Sequence, residues 1–221
     1  MADDKAKRYA HYKYALFFLD ILFTISFLLM YQCFLSENFK IFSFSVHPPN
    51  LYIALTIYFT IFSLIYYIFS FPLNFYSSYI LEHKFSLSNQ NFFDWTKDEF
   101  KRTLISFIVY LLIIHAFYLL LSKSGALWWI WTALAWIVFN VIFAKILPIF
   151  VIPLFYKYSE LNDINLKKRI KELASKASVK LIDVFQIDLS SKTKKANAAL
   201  VGMGKSRRVI IADNLINGFS D

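Results

Sequence analysis

The sequence predicts a mainly α protein: a four-helix transmembrane domain followed by a small α+β domain built from a helix, a strand and a β-hairpin. Three observations carry this expectation. First, the 221 residues are 58% hydrophobic and 20% aromatic but only 18% charged, with a mean hydropathy of +0.49. A soluble domain averages roughly 45–50% apolar and about 25% charged residues, so this excess cannot be hidden inside a water-soluble particle of 26.0 kDa. Second, long uncharged runs recur along the first two thirds of the chain. Third, the remainder turns polar and basic, and three of the four glycines (Gly202, Gly204, Gly218) lie in the last 20 residues. These features exclude a simple cytosolic enzyme and a disordered chain.

A helix needs about 20 apolar residues to cross a bilayer. Runs 14–35, 51–81, 103–121 and 126–144 supply them, with Asp20 the only charge inside the four. The second run is longer than a membrane requires: at about 1.5 Å per residue it reaches about 46 Å, against a hydrocarbon core of about 30 Å. Pro72 is expected to break it, leaving 74–81 to project as a partly exposed helix. The spans are therefore assigned to about 14–35, 51–72, 103–121 and 126–147. They lie within a transmembrane domain of residues 14–155, after an N-terminal segment of residues 1–13 and before a polar domain of residues 156–221. The first run is too long for a secretory signal and no small-residue cleavage site follows it, so it reads as an uncleaved anchor.

Lysine and arginine set the orientation. Four precede the first span (Lys5, Lys7, Arg8, Lys13), one follows it (Lys40), four follow the second (Lys84, Lys97, Lys101, Arg102) and one follows the third (Lys123). After Pro148 there are thirteen, against seven acidic residues. Basic loops stay cytoplasmic, so both termini are expected there, in a plasma or inner membrane. The formal charge of +9 is thus mostly topology. Nucleic acid is not the expected partner, because the basic stretch 192–208 carries no aromatic residue for stacking on bases. The lipid bilayer is the expected partner, with anionic headgroups as the counterpart of the charge. Oligomeric state is not written in the sequence.

The polar tail has its own local logic. Asn162 or Asp163 can cap a helix, and Leu166, Ile170, Leu173, Ala174 and Ala177 follow at helical spacing, with Lys167, Lys168, Arg169, Lys171 and Glu172 on the other face. Residues 182–188 read as a strand. Residues 197–201 and 208–212 flank the turn GMGKS and read as a hairpin. A further helix is expected to start after DNLINGFSD. A piece of about 65 residues makes a poor independent core, so the tail is expected to pack on something else or to belong to a longer chain.

Three stretches in order, EHKFSLSNQNFFDWTKD (82–98), PIFVIPLFYKYSELNDINLKKRIKELASKA (148–177) and DLSSKTKKANAALVGMGKSRRVIIADNLI (188–216), resemble the integral-membrane zinc endopeptidases of the CaaX prenyl protease type, most of all their bacterial relatives. The resemblance implies that the tail is the start of a partial α+β metallopeptidase domain. It also implies an HExxH helix whose two histidines and a later glutamate hold a zinc that activates water. It further implies a peptide or membrane-protein substrate lying extended against an edge strand. That strand matches Asn197, Ala198 and Ala199, the expected substrate-binding residues, although relatives often carry an aromatic where Ala199 stands. The departure is that no HExxH occurs in the 221 residues and no histidine follows His115. The chain by itself is therefore expected to hold no metal and no catalytic residue. The zinc would belong to a complete enzyme continuing past Asp221, engaged in CaaX-type processing or membrane-protein quality control.

Plainer readings stand beside these. Without the resemblance, Asn197 and Ala198 are interior residues of a hairpin strand, and SSKTKK (190–195) is a solvated loop rather than one near substrate or lipid headgroups. Glu82, His83, Lys84, Asn89 and Gln90 are either interfacial polar residues with capping by Ser86 or Ser88, or a structured loop packing with the tail domain. Asp20 is expected to face a partner, a water-filled space or the interface. Lys145 is expected to reach for the headgroups, His115 to be a satisfied interior histidine, and Asp94, Asp98 and Glu99 to sit at a solvated helix start. Cys33, alone, cannot form an intrachain disulfide, and the cluster Trp128, Trp129, Trp131 and Trp136 reads as an interfacial aromatic belt. A non-catalytic membrane scaffold or regulatory protein of the same fold is the alternative function. A small transporter ranks below both because the spans hold so few polar residues.

Overall fold

The computed structural model describes residues 2–46 and 50–218. Phe219, Ser220 and Asp221, the last residues of DNLINGFSD in the sequence reading, lie outside them. Two compact units result, one of Met1–Ser86 with Phe92–Leu119 and the other of Leu87–Asn91 with Leu120–Asp221.

The first unit is helical throughout. Helix α1 (Ala2–Met30) passes through a wider π turn (Tyr31–Leu35) into α2 (Ser36–Val46). The polar stretch after residue 35, expected as loop, is thus largely helical. Helix α3 (Leu51–Phe75) starts where Asn50 Oδ1 accepts the N–H groups of Tyr52 and Ile53 at 3.0 and 3.3 Å, satisfying two otherwise unpaired donors. It then runs through a π turn (Tyr76–Ile80) into α4 (Leu81–Lys84). Pro72 lies inside α3 and does not end it. The expected break is therefore corrected: in lipid, backbone groups must be satisfied within the segment, which favours continuing the helix past a proline. Residues 74–79 of the end of this run are half-buried and Ile80 is exposed, as expected, while Leu81 is fully buried. Helix α5 (Phe92–Lys123) completes the unit up to Leu119.

Aromatic packing holds these helices. Tyr31 meets Phe62 edge to face at 4.9 Å and Phe27 meets Tyr66 at 5.3 Å, joining α1 and the π turn that follows it to α3. Trp95 packs on Phe75 and Tyr79 at 5.1 and 5.5 Å and donates to Ser78 Oγ at 3.2 Å. Such pairs are each worth about 0.5–1.5 kcal/mol beyond the area they bury. The opposite faces carry bare Phe17, Phe18, Leu22, Ile68, Leu112 and Tyr110. Apolar surface on this scale is what a lipid environment covers. Among the described residues four helical segments are long and apolar enough to cross a membrane: Asp4–Val46, Leu51–Lys84, Phe92–Lys123 and Gly125–Ile146.

The second unit contains the last of these. Helix α6 (Trp128–Ile146) follows a short 3-10 turn (Gly125–Leu127) and continues through a π turn (Leu147–Val151) into α7 (Ile152–Phe155). Trp128, Trp129, Trp131 and Trp136 are all exposed on α6, as is Lys145 near its end. Then come β1 (Tyr158–Glu160), α8 (Ile164–Lys176), β2 (Val184–Ile187), β3 (Ala198–Val201), β4 (Arg208–Ala212) and α9 (Asp213–Gly218). Asp163 caps α8, its Oδ1 accepting Leu166 N–H at 2.9 Å. The sheet order is β1-β2-β4-β3, with β2 and β4 parallel and the other pairs antiparallel. The expected strand and hairpin are present; β1 is an addition to them. Leu161, Val184 and Ile211 form the core of this unit, and Leu166 and Ile170 of α8 and Leu215 and Ile216 of α9 pack against it. Lys167 and Lys171 clasp Asp183 at 2.7 and 2.9 Å, pinning α8 to the start of β2.

Candidate functional site, the open flank of β3

Strand β3 stands at the end of the sheet and pairs, among the described residues, with β4 alone. Ala198 faces Ile211, Ala199 faces Ile210 and Leu200 faces Val209. Asn197 lies just before the strand, and its carbonyl accepts Ala212 N–H at 2.9 Å. Antiparallel ladders alternate bonded and non-bonded pairs. Counting from Asn197, Ala199 and Val201 turn their backbone groups to β4, while Ala198 and Leu200 turn theirs to the open flank. Asn197, Ala198, Ala199 and Leu200 are all exposed, and the two alanines leave the backbone approachable. Sequence reasoning singled out three of these residues, and the fold brings them together on one unpaired edge.

The turn that returns β3 onto β4 depends on Gly202. Its φ is +92°, and a Cβ there would lie 2.4 Å from the Ser206 carbonyl oxygen. Ser206 closes the turn, its Oγ accepting Met203 N–H at 3.0 Å and its own N–H donating to Met203 O at 3.0 Å.

The chain entering β3 is held from two sides. From one side, Asp213, the first residue of α9, takes the N–H groups of Leu189 and Ser190 at 3.0 and 2.9 Å and the Ser190 hydroxyl. Burial alone would push the Asp213 carboxyl up, but these bonds and that from Asn214 N–H outweigh it and hold the carboxyl below the usual carboxylate range. Its neighbour Asn214 donates from Nδ2 to the carbonyls of Thr193 at 3.1 Å and Lys195 at 2.8 Å. From the other side comes the segment between α4 and α5. Leu87 O accepts Lys194 N–H at 2.9 Å and the Thr193 hydroxyl at 2.8 Å, while Asn89 donates from its backbone to Lys192 O at 2.9 Å and from Nδ2 to Ser190 O at 2.7 Å. Loop 190–195, which sequence reasoning treats as solvated or near substrate, is thus a fixed lead-in. Leu87, Asp213 and Asn214 were missed. An Asp-Asn pair directly after an apolar strand is a helix-cap signature and was available in the sequence; Leu87 acts through its carbonyl and carried no signal.

The other residues singled out fall elsewhere. Glu82 pairs with Lys13 at 2.9 Å and accepts the Tyr9 hydroxyl at 2.6 Å. Ser88 Oγ accepts Gln90 N–H at 3.2 Å. Asp98 and Glu99 are buried, and Glu99 binds Arg102 at 2.6 Å as well as Asn74 Nδ2. Asp20 lines a cavity of about 1080 Å³ in the first unit, together with Lys13, Asn74, Glu99 and Arg102. His115 is satisfied, with Nδ1 at 2.8 Å from Leu111 O and Nε2 at 3.2 Å from both Thr56 Oγ1 and Tyr52 O. His83 Nδ1 lies 2.8 Å from Tyr79 O. No three His, Cys, Asp or Glu side chains converge as a metal site among the described residues. With His83 Nδ1 and His115 Nδ1 turned to carbonyls of the preceding turn and His115 Nε2 to Thr56 and Tyr52 of α3, these donors do not fit the zinc centre that the resemblance implies.

Known proteins were compared with this geometry. The crystal structure of S. mikatae Ste24p superposes with a TM-score of 0.83 at 23% identity, covering 97% of this chain and 52% of that one; at that identity the likeness is one of fold. CAAX prenyl protease 1 of Saccharomyces cerevisiae is 31% identical over 152 residues, which is 67% of this chain and 33% of the relative. The uncharacterized metalloprotease YhfN of Bacillus subtilis is 28% identical over 137 residues, or 62% of this chain and 32% of the relative. The chain thus spans about a third of the length of the curated relatives it matches. A family described as CAAX prenyl protease N-terminal, five membrane helices, matches residues 2–157, and the chain belongs to that family of integral membrane proteins.

Proposed function

We propose that this chain is the N-terminal part of an integral-membrane zinc metalloendopeptidase, one that hydrolyses peptide bonds in CaaX-type processing or membrane-protein quality control. Its own contribution is to bind and orient the substrate. An extended peptide adds to the sheet along β3, taking main-chain hydrogen bonds from Ala198 and Leu200 while Asn197 and Ala199 keep the strand on β4. The observation that supports this reading is the unpaired flank of β3, where Ala198 and Leu200 turn their backbone groups outward and both are exposed. The chain alone, which contains no HExxH, has no peptidase activity on this reading. The alternation of basic loops supports a reading with both termini cytoplasmic, in a plasma or inner membrane.

The test is Ala198→Pro. Proline removes an N–H that β4 does not use and sets its ring in the open flank, where edge strands tolerate it. Binding of a fluorescent extended peptide to the chain in nanodiscs is expected to weaken at least about tenfold, the worth of one or two main-chain bonds. Unchanged affinity would place the substrate elsewhere.

A further inference from the structure

We propose that Asn214 and Asn89 are positioning residues for the bound peptide, acting on it through the lead-in loop rather than by contact. This rests on the reading of β3 as the substrate edge. Loop 190–195 carries Lys192, Lys194 and Lys195 within four positions, and like charges this close favour an open, fluctuating loop. A strand fed by such a loop would have to be ordered each time a peptide arrives, and that ordering opposes binding. The side chains remove the difficulty in advance. Asn214 Nδ2 bridges the carbonyls of Thr193 and Lys195, one on each side of Lys194. The orientation of this amide is settled by its surroundings. Its Oδ1 is buried without a hydrogen-bond partner, yet turning it over would set that oxygen against two carbonyls. An amide that leaves one buried acceptor unpaired in order to bridge two loop carbonyls is doing so for the loop. Asn89 fixes the other end through Lys192 O and Ser190 O. The Lys192 ammonium is drawn aside over the rings of Tyr156 at 4.8 Å and Phe155 at 5.6 Å. The loop is thereby anchored at four carbonyls two to seven residues before Asn197, and β3 presents its flank already extended.

The experiment uses the full chain in nanodiscs, the same fluorescent extended peptide, and Asn214→Asp, a change that keeps the side-chain shape. At pH 7 a carboxylate faces two carbonyls and both bonds are lost. Affinity is expected to fall by on the order of tenfold to a hundredfold. As the pH falls toward about 4 the new carboxyl takes up a proton and its single O–H can remake one of the two bonds, so affinity is expected to recover in part in this variant and not in Asn214→Ala. A merely structural role would produce no such recovery. Asn89→Ala is expected to weaken binding by several-fold. Amide exchange without peptide gives a second readout: in Asn214→Asp it is expected to quicken over 193–201 and to stay unchanged over β2. Wild-type affinity in Asn214→Asp, or a loss with no acid recovery, overturns the inference, as does unchanged exchange over 193–201. Ala198→Pro in parallel separates the two levels. If it leaves binding intact, the substrate-edge reading fails; if it abolishes binding while Asn214→Asp does not, only the positioning role fails.

Discussion

Replacing Asp183 with Asn should make the docking of α8 independent of acid. The Asp183 carboxylate joins Lys167 and Lys171 of α8 at 2.7 and 2.9 Å and accepts Val184 N–H at 2.9 Å. Burial works against its charged form, but these bonds prevail and bring its pKa from 3.8 to about 2. At about 1.4 kcal/mol per unit this difference amounts to about 2 kcal/mol, which solvent screening of a clasp near the surface cuts to about 1 kcal/mol. Because the folded carboxyl titrates below the unfolded one, this stability is complete above the unfolded value of about 3.9 and is lost as the pH falls toward the folded value. Asn keeps an acceptor for Val184 N–H, so Asp183→Asn isolates the charge. Amide exchange in α8, followed from pH 6 to pH 2.5 in detergent, is the assay. The wild type should lose about two thirds of this roughly 1 kcal/mol of protection by pH 2.5, which still lies above the folded value of about 2. The variant should begin lower by the full amount and vary little with pH. Equal protection of the two proteins at pH 6 would refute the idea that this ion-pair clasp holds α8 on the sheet.

Other outcomes follow from the same structure. Gly202→Ala forces a Cβ to within 2.4 Å of a carbonyl at a positive φ. It should cost about 1–3 kcal/mol, seen as faster exchange in β3 and β4 with the helices unaffected. Leu81→Ala empties a fully buried position and should lower the thermal stability of the first unit by about 2–4 kcal/mol, whereas an exposed control, Leu112→Ala, should change it by less than about 0.5 kcal/mol. The purified chain should retain less than one zinc ion per ten molecules after dialysis, measured by elemental analysis, and should cleave no peptide on addition of zinc; a stoichiometric ion would contradict the reading of its donor set.

The sequence and the structure agree where local physics decides. Uninterrupted apolar runs had one outcome, a helix across lipid, and Asp163 with its following apolar period marked α8 to within a residue or two. The two apolar runs around Gly202 could return on each other only as a hairpin. What the sequence did not disclose depends on distant partners. Strand β1 is three residues long, too short to show a period, and it exists because β2 offers an edge. The parallel pairing of β2 with β4, which leaves β3 outermost, is a tertiary choice that no periodicity records. Pro72 looked like a terminator because the rule for water was applied where lipid removes the alternative to a helix. The lead-in of β3 was least visible of all. Its anchors reach across the chain, Asn89 to Ser190 being 101 residues apart. One of them, Leu87, works through a backbone carbonyl that is the same in every residue.

The most direct measurement is residue-resolved amide exchange along β3 with and without a saturating extended peptide. Protection that appears at Ala198 and Leu200, while Ala199 and Val201 keep the protection β4 already gives them, is the expected pattern. Protection that fails to change at Ala198 and Leu200 when the peptide is demonstrably bound would contradict the account.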